Sequence, residues 1–245
     1  MRNLPIVTRY LLIANFIVFL LDAVLLKYNI QLSDYCGLHY MGASSFHVWQ
    51  PITYMFLHAN FWHLFFNMFA VLMFGPSIER EFGTRRFIIY YFLCGIGAGI
   101  VQEIVWACMN VPFILQPLLN TIGASGAVFG ILLAFGWMFP NVPMFLFLIP
   151  IPIRARVFVL LYAGIELLEG LQAARGATGD NVAHFAHLGG FLFGLLIILY
   201  WKHTNWREPQ YGLYWDKFKS LFRRRRRLDS SKDSDFDKYH YHKRV

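Results

Sequence analysis

Six apolar runs constrain this chain more than any other feature. They cover roughly residues 6–26, 61–78, 87–109, 122–139, 157–171 and 182–201. A helix that crosses a bilayer needs about 20 predominantly apolar residues, with a range of about 17–25. At 57% hydrophobic residues and a mean hydropathy of +0.45, the chain is too apolar for an ordinary soluble domain. The expected fold is therefore an all-α polytopic membrane protein, a bundle of six transmembrane helices. The fifth run is short, and its helix could begin as early as Met144–Ile153. Pro140, Pro143, Pro150 and Pro152 interrupt that stretch, which reads as a turn at the membrane surface. The first run lacks a small-residue cleavage site and reads as a retained span, not a cleaved signal.

Charge orients the bundle. With the N-terminus inside, the inner segments carry Arg2, Arg9, Arg80, Arg85, Arg86, Arg154 and Arg156, and the outer ones only Lys27 and Arg175. That asymmetry puts both termini in the cytoplasm. Residues 202–245 hold +7 of the net charge of +8. The chain thus divides into a membrane domain, 1–202, and a basic cytoplasmic tail, 203–245. In the tail Trp215, Phe218, Leu221 and Phe222 alternate with Lys217, Lys219 and Arg223–Arg227. This suits an interfacial helix on anionic lipid headgroups, followed by disorder. Beside a membrane span, headgroups are a better partner for those arginines than nucleic acid. Cys36, Cys94 and Cys108 have neither pairing nor metal spacing, and the last two read as packing residues.

This topology makes three polar clusters converge. Spans two, four and six all enter from the outer face. Span two carries His63 and Asn67 near its start, span four carries Ser125, and span six carries His184 and His187. At about 1.5 Å per residue, each lies about 5–10 Å below the outer surface. Polar side chains at that depth are costly and face the bundle interior or a water-filled cavity. His63 and Asn67, four residues apart, share a helix face. Gly126 and Gly130 lie on the helix of Ser125, while Gly190 and Gly194 share a face with His187. Such pairs let backbones approach closely, so a tight crossing would bring His187 within reach of Ser125. Gly95 and Gly99 suggest another tight crossing in span three.

The chemistry these residues could perform is acyl transfer to water. A serine hydroxyl is a weak nucleophile until a base takes its proton, and His187 is the candidate base and later acid. No aspartate is placed to complete a triad, so the expected machinery is a Ser125–His187 dyad. The backbone N–H of Ser125 with His63 and Asn67 could bind the oxyanion. Each assignment has a plainer rival. Ser125 could only cap its helix, and His63 and Asn67 could be interhelical hydrogen-bonding groups. His184 reads as structural or facing a cap. Glu103 and Glu166 lie within spans, where buried structural hydrogen bonds are the favoured reading. His184-x-x-His187 could ligate a metal, but no His-Glu-x-x-His is present for zinc peptidase chemistry. No cofactor or metal is expected. A transporter would show repeats or matching broken helices, and none is visible.

Gly-Ala-Ser-Gly at 123–126, His63-Leu-Phe-Phe-Asn67, and Ala186-His187-Leu-Gly-Gly190-Phe-Leu-Phe-Gly194 together resemble a rhomboid intramembrane serine protease over roughly residues 5–202. The resemblance implies Ser125 as nucleophile, His187 as base, and His63 and Asn67 as oxyanion stabilisers. It also implies single-span membrane proteins as substrates, cut near the outer face. The alternative is a catalytically silent relative that binds membrane clients. One departure stands out: Trp49-Gln50 replaces a Trp-Arg pair common in the family, which leaves open how the first outer loop is braced. The segment 173–181, with Gly176 and Gly179, reads as a flexible cap that would gate substrate together with span five. The absence of an appended soluble domain or a transit-like N-terminus favours a bacterial inner membrane.

Overall fold

Hydrocarbon offers backbone amides no partner, so apolar runs in a bilayer fold as helices that satisfy their own hydrogen bonds. The computed structural model describes residues 4–109, 113–146, 149–174 and 183–204. Helix α1 (Ile6–Leu25) leads through a 3₁₀ turn into a folded connection. That connection contains α2 (Leu32–Cys36), strand β1 (Leu38–His39) and α3 (Gln50–Thr53). Then come α4 (Phe61–Phe82), α5 (Thr84–Cys108), β2 (Asn120–Thr121) and α6 (Ser125–Met138). The hairpin β3 (Pro143–Leu146) and β4 (Ile149–Arg154) precedes α7 (Ala155–Ala174) and α8 (His184–His203).

Among the described residues, four helical segments are long and apolar enough to cross a membrane: 6–28, 61–82, 84–108 and 184–203. The other two expected spans differ from them. The 14 residues of α6 reach about 21 Å at about 1.5 Å each, short of a hydrocarbon core of about 30 Å. The helix starts at Ser125 and not at Ile122 because Asn120–Thr121 is extended, paired antiparallel with Leu38–His39. Gly123 then turns the chain at φ 131°. Helix α7 has the length but carries Glu166 and Glu169. The stretch before it is a β-hairpin and not a surface turn or an early start to the helix. Pro143, Pro150 and Pro152 lack the N–H an α-helix needs, but fit a two-stranded ribbon with free edges.

Glycine decides how the helices pack. A Cβ on Gly190 would overlap the carbonyl oxygen of Gly126, and one on Gly194 would lie 3.3 Å from the Gly130 Cα. Helices α6 and α8 therefore meet backbone to backbone. Tyr90 closes the same seam by donating its hydroxyl to the Gly130 carbonyl at 2.7 Å. Gly97 of α5 makes room for Phe193 of α8, but Gly95 and Gly99 do something different from the expected helix crossing. Gly95 makes room for Met55 and Gly99 for Leu38, so they receive the folded connection. Phe129, Leu132, Val159 and Phe191 form a core cluster where α6, α7 and α8 meet.

Several polar side chains hold the periphery in place. Glu79 on α4 accepts from the Val7 N–H at 2.9 Å, the Thr8 N–H at 2.7 Å and the Thr8 hydroxyl at 2.8 Å. It thereby satisfies donors that the start of α1 leaves open. Gln50 answers how the first loop is braced. Fully buried, its oxygen accepts from the His39 N–H at 3.2 Å, and its amide donates to the Ser45 carbonyl at 2.9 Å. Trp49 donates to the Tyr35 carbonyl at 3.0 Å. Glu103 anchors the loop to α5 by accepting from the Met41 N–H at 2.8 Å. Cys94 is buried, as a packing residue should be, whereas Cys108 is exposed at the end of α5. Of the expected cap at 173–181, residues 173–174 end α7, while 175–181, Arg2 and the basic tail from 205 lie outside the described residues.

Candidate active site

Ser125 is the first residue of α6. The N-cap position is Ala124, and no side chain caps this helix end. The serine hydroxyl is not used as a cap; it lies 2.8 Å from His187 Nε2. The two residues come from helices whose glycines allow this approach, as the spacing of Gly126, Gly130, Gly190 and Gly194 suggested. The His187 ring stacks on Phe129, with centroids 4.3 Å apart and planes 10° apart. Phe129 follows Ser125 by four residues and so shares its helix face. Tyr162 of α7 stacks on the other side of the Phe129 ring, centroids 5.2 Å apart.

The other nitrogen of His187, Nδ1, lies 2.8 Å from Glu166 Oε2. His184 Nδ1 meets the same oxygen at 2.8 Å. All three residues are buried. Their ligand atoms lie within 4.8 Å of one another, the one such His/Cys/Asp/Glu group among the described residues. In the geometry observed, both imidazoles are hydrogen-bonded to the carboxylate. Sequence reasoning weighed Glu166 as a buried structural hydrogen bond and did not see that its partner is the candidate base. The available signal was a carboxylate inside an apolar helix.

His63 and Asn67 line the same cavity as Ser125. His63 Nδ1 accepts from the Ala59 N–H at 3.3 Å, which leaves the Nε2 hydrogen as a free donor. A Cβ on Gly123 would sit 2.8 Å from His63 Nε2 and 3.6 Å from Ser125 Oγ. Gly123 thus separates the two, and both its positive φ and the lack of space require glycine. Asn67 donates one amide hydrogen to the His63 carbonyl of its own helix at 2.9 Å. Its amide keeps a second N–H. Just outside α4, His58 packs edge-on against His63, ring centroids 5.0 Å apart. Burial, reinforced by His63, pushes the His58 pKa down to about 3, so this ring is neutral. The sequence reading did not single it out.

The cavity above these groups has a volume of about 1320 Å³. It extends along α4 past Trp62 and Phe66, and along α7 past Phe158 and Tyr162. Its lining is largely apolar, with Ser125, His63, Asn67, Glu166, His184 and His187 among its polar residues. A serine hydroxyl, an imidazole and hydrogen-bond donors lining one largely apolar groove have the composition that hydrolysis of a carbonyl compound would use.

A family model of the rhomboid domain matches residues 45–203. Rhomboid protein 1, mitochondrial, of Saccharomyces cerevisiae is 33% identical over 141 residues, 58% of this chain and 38% of its own. Rhomboid-like protease 3 of Toxoplasma gondii is 28% identical over 159 residues, 65% of this chain and 54% of its own. RHOMBOID-like protein 6, mitochondrial, of Arabidopsis thaliana is 32% identical over 171 residues, 67% of this chain and 49% of its own. The chain thus spans about half or less of the length of these relatives.

Proposed function

Because the chain belongs to the rhomboid family, we propose that it is an intramembrane serine endopeptidase that cuts single-span membrane proteins near the outer face. The 2.8 Å contact between Ser125 Oγ and His187 Nε2, beneath a cavity open along apolar helices, carries this reading. Ser125 attacks the scissile carbonyl carbon while its proton passes to His187 Nε2. Electrons of the carbonyl move to its oxygen, which meets the Ser125 N–H, His63 Nε2 and the second N–H of Asn67. His187 then protonates the leaving amine as the C–N bond breaks, and water hydrolyses the acyl-enzyme by the same steps in turn.

In this proposal the bundle, 1–202, has six spans with both termini in the cytoplasm, and the basic tail, 203–245, lies on anionic headgroups. Arg86 lies 5.8 Å over the Trp201 ring, which supports a common inner level for the start of α5 and the end of α8. An unwound substrate segment enters between α4 and α7, whose aromatic side chains line the groove. The protein is integral to a membrane. Relatives named mitochondrial and chloroplastic match alongside bacterial ones, so family membership does not select the compartment.

Cleavage of a single-span reporter by wild type, Ser125→Ala, His187→Ala and His184→Ala, each with a matching thermal melt in detergent, tests the proposal. Wild type cleaves, and Ser125→Ala and His187→Ala lose on the order of 10⁴-fold or more. Activity in folded Ser125→Ala overturns the serine mechanism. Loss in His184→Ala with full activity in His187→Ala reassigns the base.

A further inference from the structure

The geometry points to Glu166 as the third member of a Ser125–His187–Glu166 relay, a positioning residue that holds His187 in the tautomer a base requires. This rests on the serine-peptidase reading above. An ionised carboxylate only accepts hydrogen bonds. With Oε2 2.8 Å from His187 Nδ1, that nitrogen carries the hydrogen, and the lone pair is left on Nε2, facing Ser125. The stack on Phe129 fixes the plane of the His187 ring. A stack cannot choose between the two in-plane orientations of an imidazole, which present different nitrogens to the serine. Only a partner at Nδ1 makes that choice.

His184 completes the device. Its Nδ1 donates to the same carboxylate oxygen at 2.8 Å, so the carboxylate is held from α8 at two points one helical turn apart. Glu169 lies 3.5 Å from the same His184 nitrogen. Glu166 also lines the cavity that holds Ser125, where the charge on its carboxylate faces the imidazolium formed during attack. The proton taken from Ser125 stays on Nε2 until it goes to the leaving amine. The Nδ1 hydrogen stays on His187, and Glu166 remains ionised throughout.

The test uses the full chain in detergent, with a single-span reporter and a fluorophosphonate that labels an activated serine. Glu166→Gln keeps the side-chain shape and removes the charge. Its kcat falls on the order of 10²–10⁴-fold, with KM within about twofold, and labelling of Ser125 slows in parallel. Glu166→Asp recovers part of the loss. Wild-type kcat and labelling in folded Glu166→Gln overturn the relay. A second readout needs no substitution of Glu166. Imidazole ¹⁵N spectra of the wild type, with signals assigned by their loss in His187→Ala, show that the neutral form of His187 carries its hydrogen on Nδ1 and leaves Nε2 bare. The opposite tautomer overturns the proposal even if Glu166→Gln does not fold. If Ser125→Ala is silent while Glu166→Gln is fully active, only the relay fails. If Ser125→Ala is active, the peptidase reading itself fails.

Discussion

Two buried glutamates in this protein have similar exposure and different partners. Glu79 is 2% exposed and Glu166 is 5% exposed. Glu79 accepts from two backbone amides and from the hydroxyls of Thr8 and Thr84, none of which ionises near neutral pH. Glu166 accepts from two imidazoles, one of which contacts the candidate nucleophile. The first carboxylate ties a helix end to its neighbour. The second lies beside the candidate base, which contacts the candidate nucleophile. Burial of a carboxylate shows that it must have partners; only the identity of those partners separates a brace from a part of the chemistry.

Substitutions at the two ends should separate along the same line. Asn67→Ala, at the site, removes an oxyanion donor and lowers kcat by about 10²–10³-fold with the melting temperature nearly unchanged. Unchanged turnover would take Asn67 out of the site. Gly190→Ala forces α8 away from the Gly126 carbonyl, and a displacement of about 1 Å at the dyad costs about 10²-fold in reporter cleavage. Full activity there would mean that the α6–α8 seam yields without moving Ser125 from His187. At the other end, Glu79→Ala leaves the Val7 and Thr8 amides unpaired and costs about 2–3 kcal/mol of stability. Its kcat per folded molecule stays at the wild-type value; a drop in kcat with an unchanged melt would erase the contrast between the glutamates.

The smallest effect is in pH. His58 titrates at about 3 in the folded protein and at about 6.5 when unfolded. Between those values the unfolded chain binds a proton that the folded one refuses. Stability is therefore full above about 6.5 and falls by up to about 1 kcal/mol per pH unit as pH drops toward 3. Melting curves at pH 7 and pH 5 should differ less for His58→Leu than for wild type. Equal differences would show that His58 is not the group responsible.

Much of the site was legible because membrane-length runs fix the level of a residue along the bilayer normal. Ser125, His187, His63 and Asn67 could be assigned to one depth from run boundaries and charge asymmetry. Glycine spacing supplied the second coordinate, since only a close crossing of α6 and α8 makes use of Gly126 with Gly190. The helix ends at Phe61 and Cys108 fall within one residue of the apolar boundaries. The hairpin after α6 was less legible, because prolines exclude a helix without stating which extended structure replaces it. The short α6 had the same difficulty: Ile122 is as apolar as any helical residue, and it is strand pairing with Leu38–His39 that moves the helix start to Ser125.

The sequence by itself pointed to a membrane protein of the rhomboid family and to the convergence of Ser125, His187, His63 and Asn67, which line one cavity. Hydrophobicity, charge asymmetry and helical spacing are local properties, and they give an expected depth for each residue. Rotation about each helix axis and contacts between segments far apart in the chain depend on how side chains fill the space between elements. Those were decided by the tertiary structure: Glu166 at His187 across 21 positions of sequence, Gln50 holding the first loop where an arginine was expected, and Gly95 receiving Met55 in place of another helix. A carboxylate in an apolar run has to find donors, and periodicity does not record which ones lie within 3 Å.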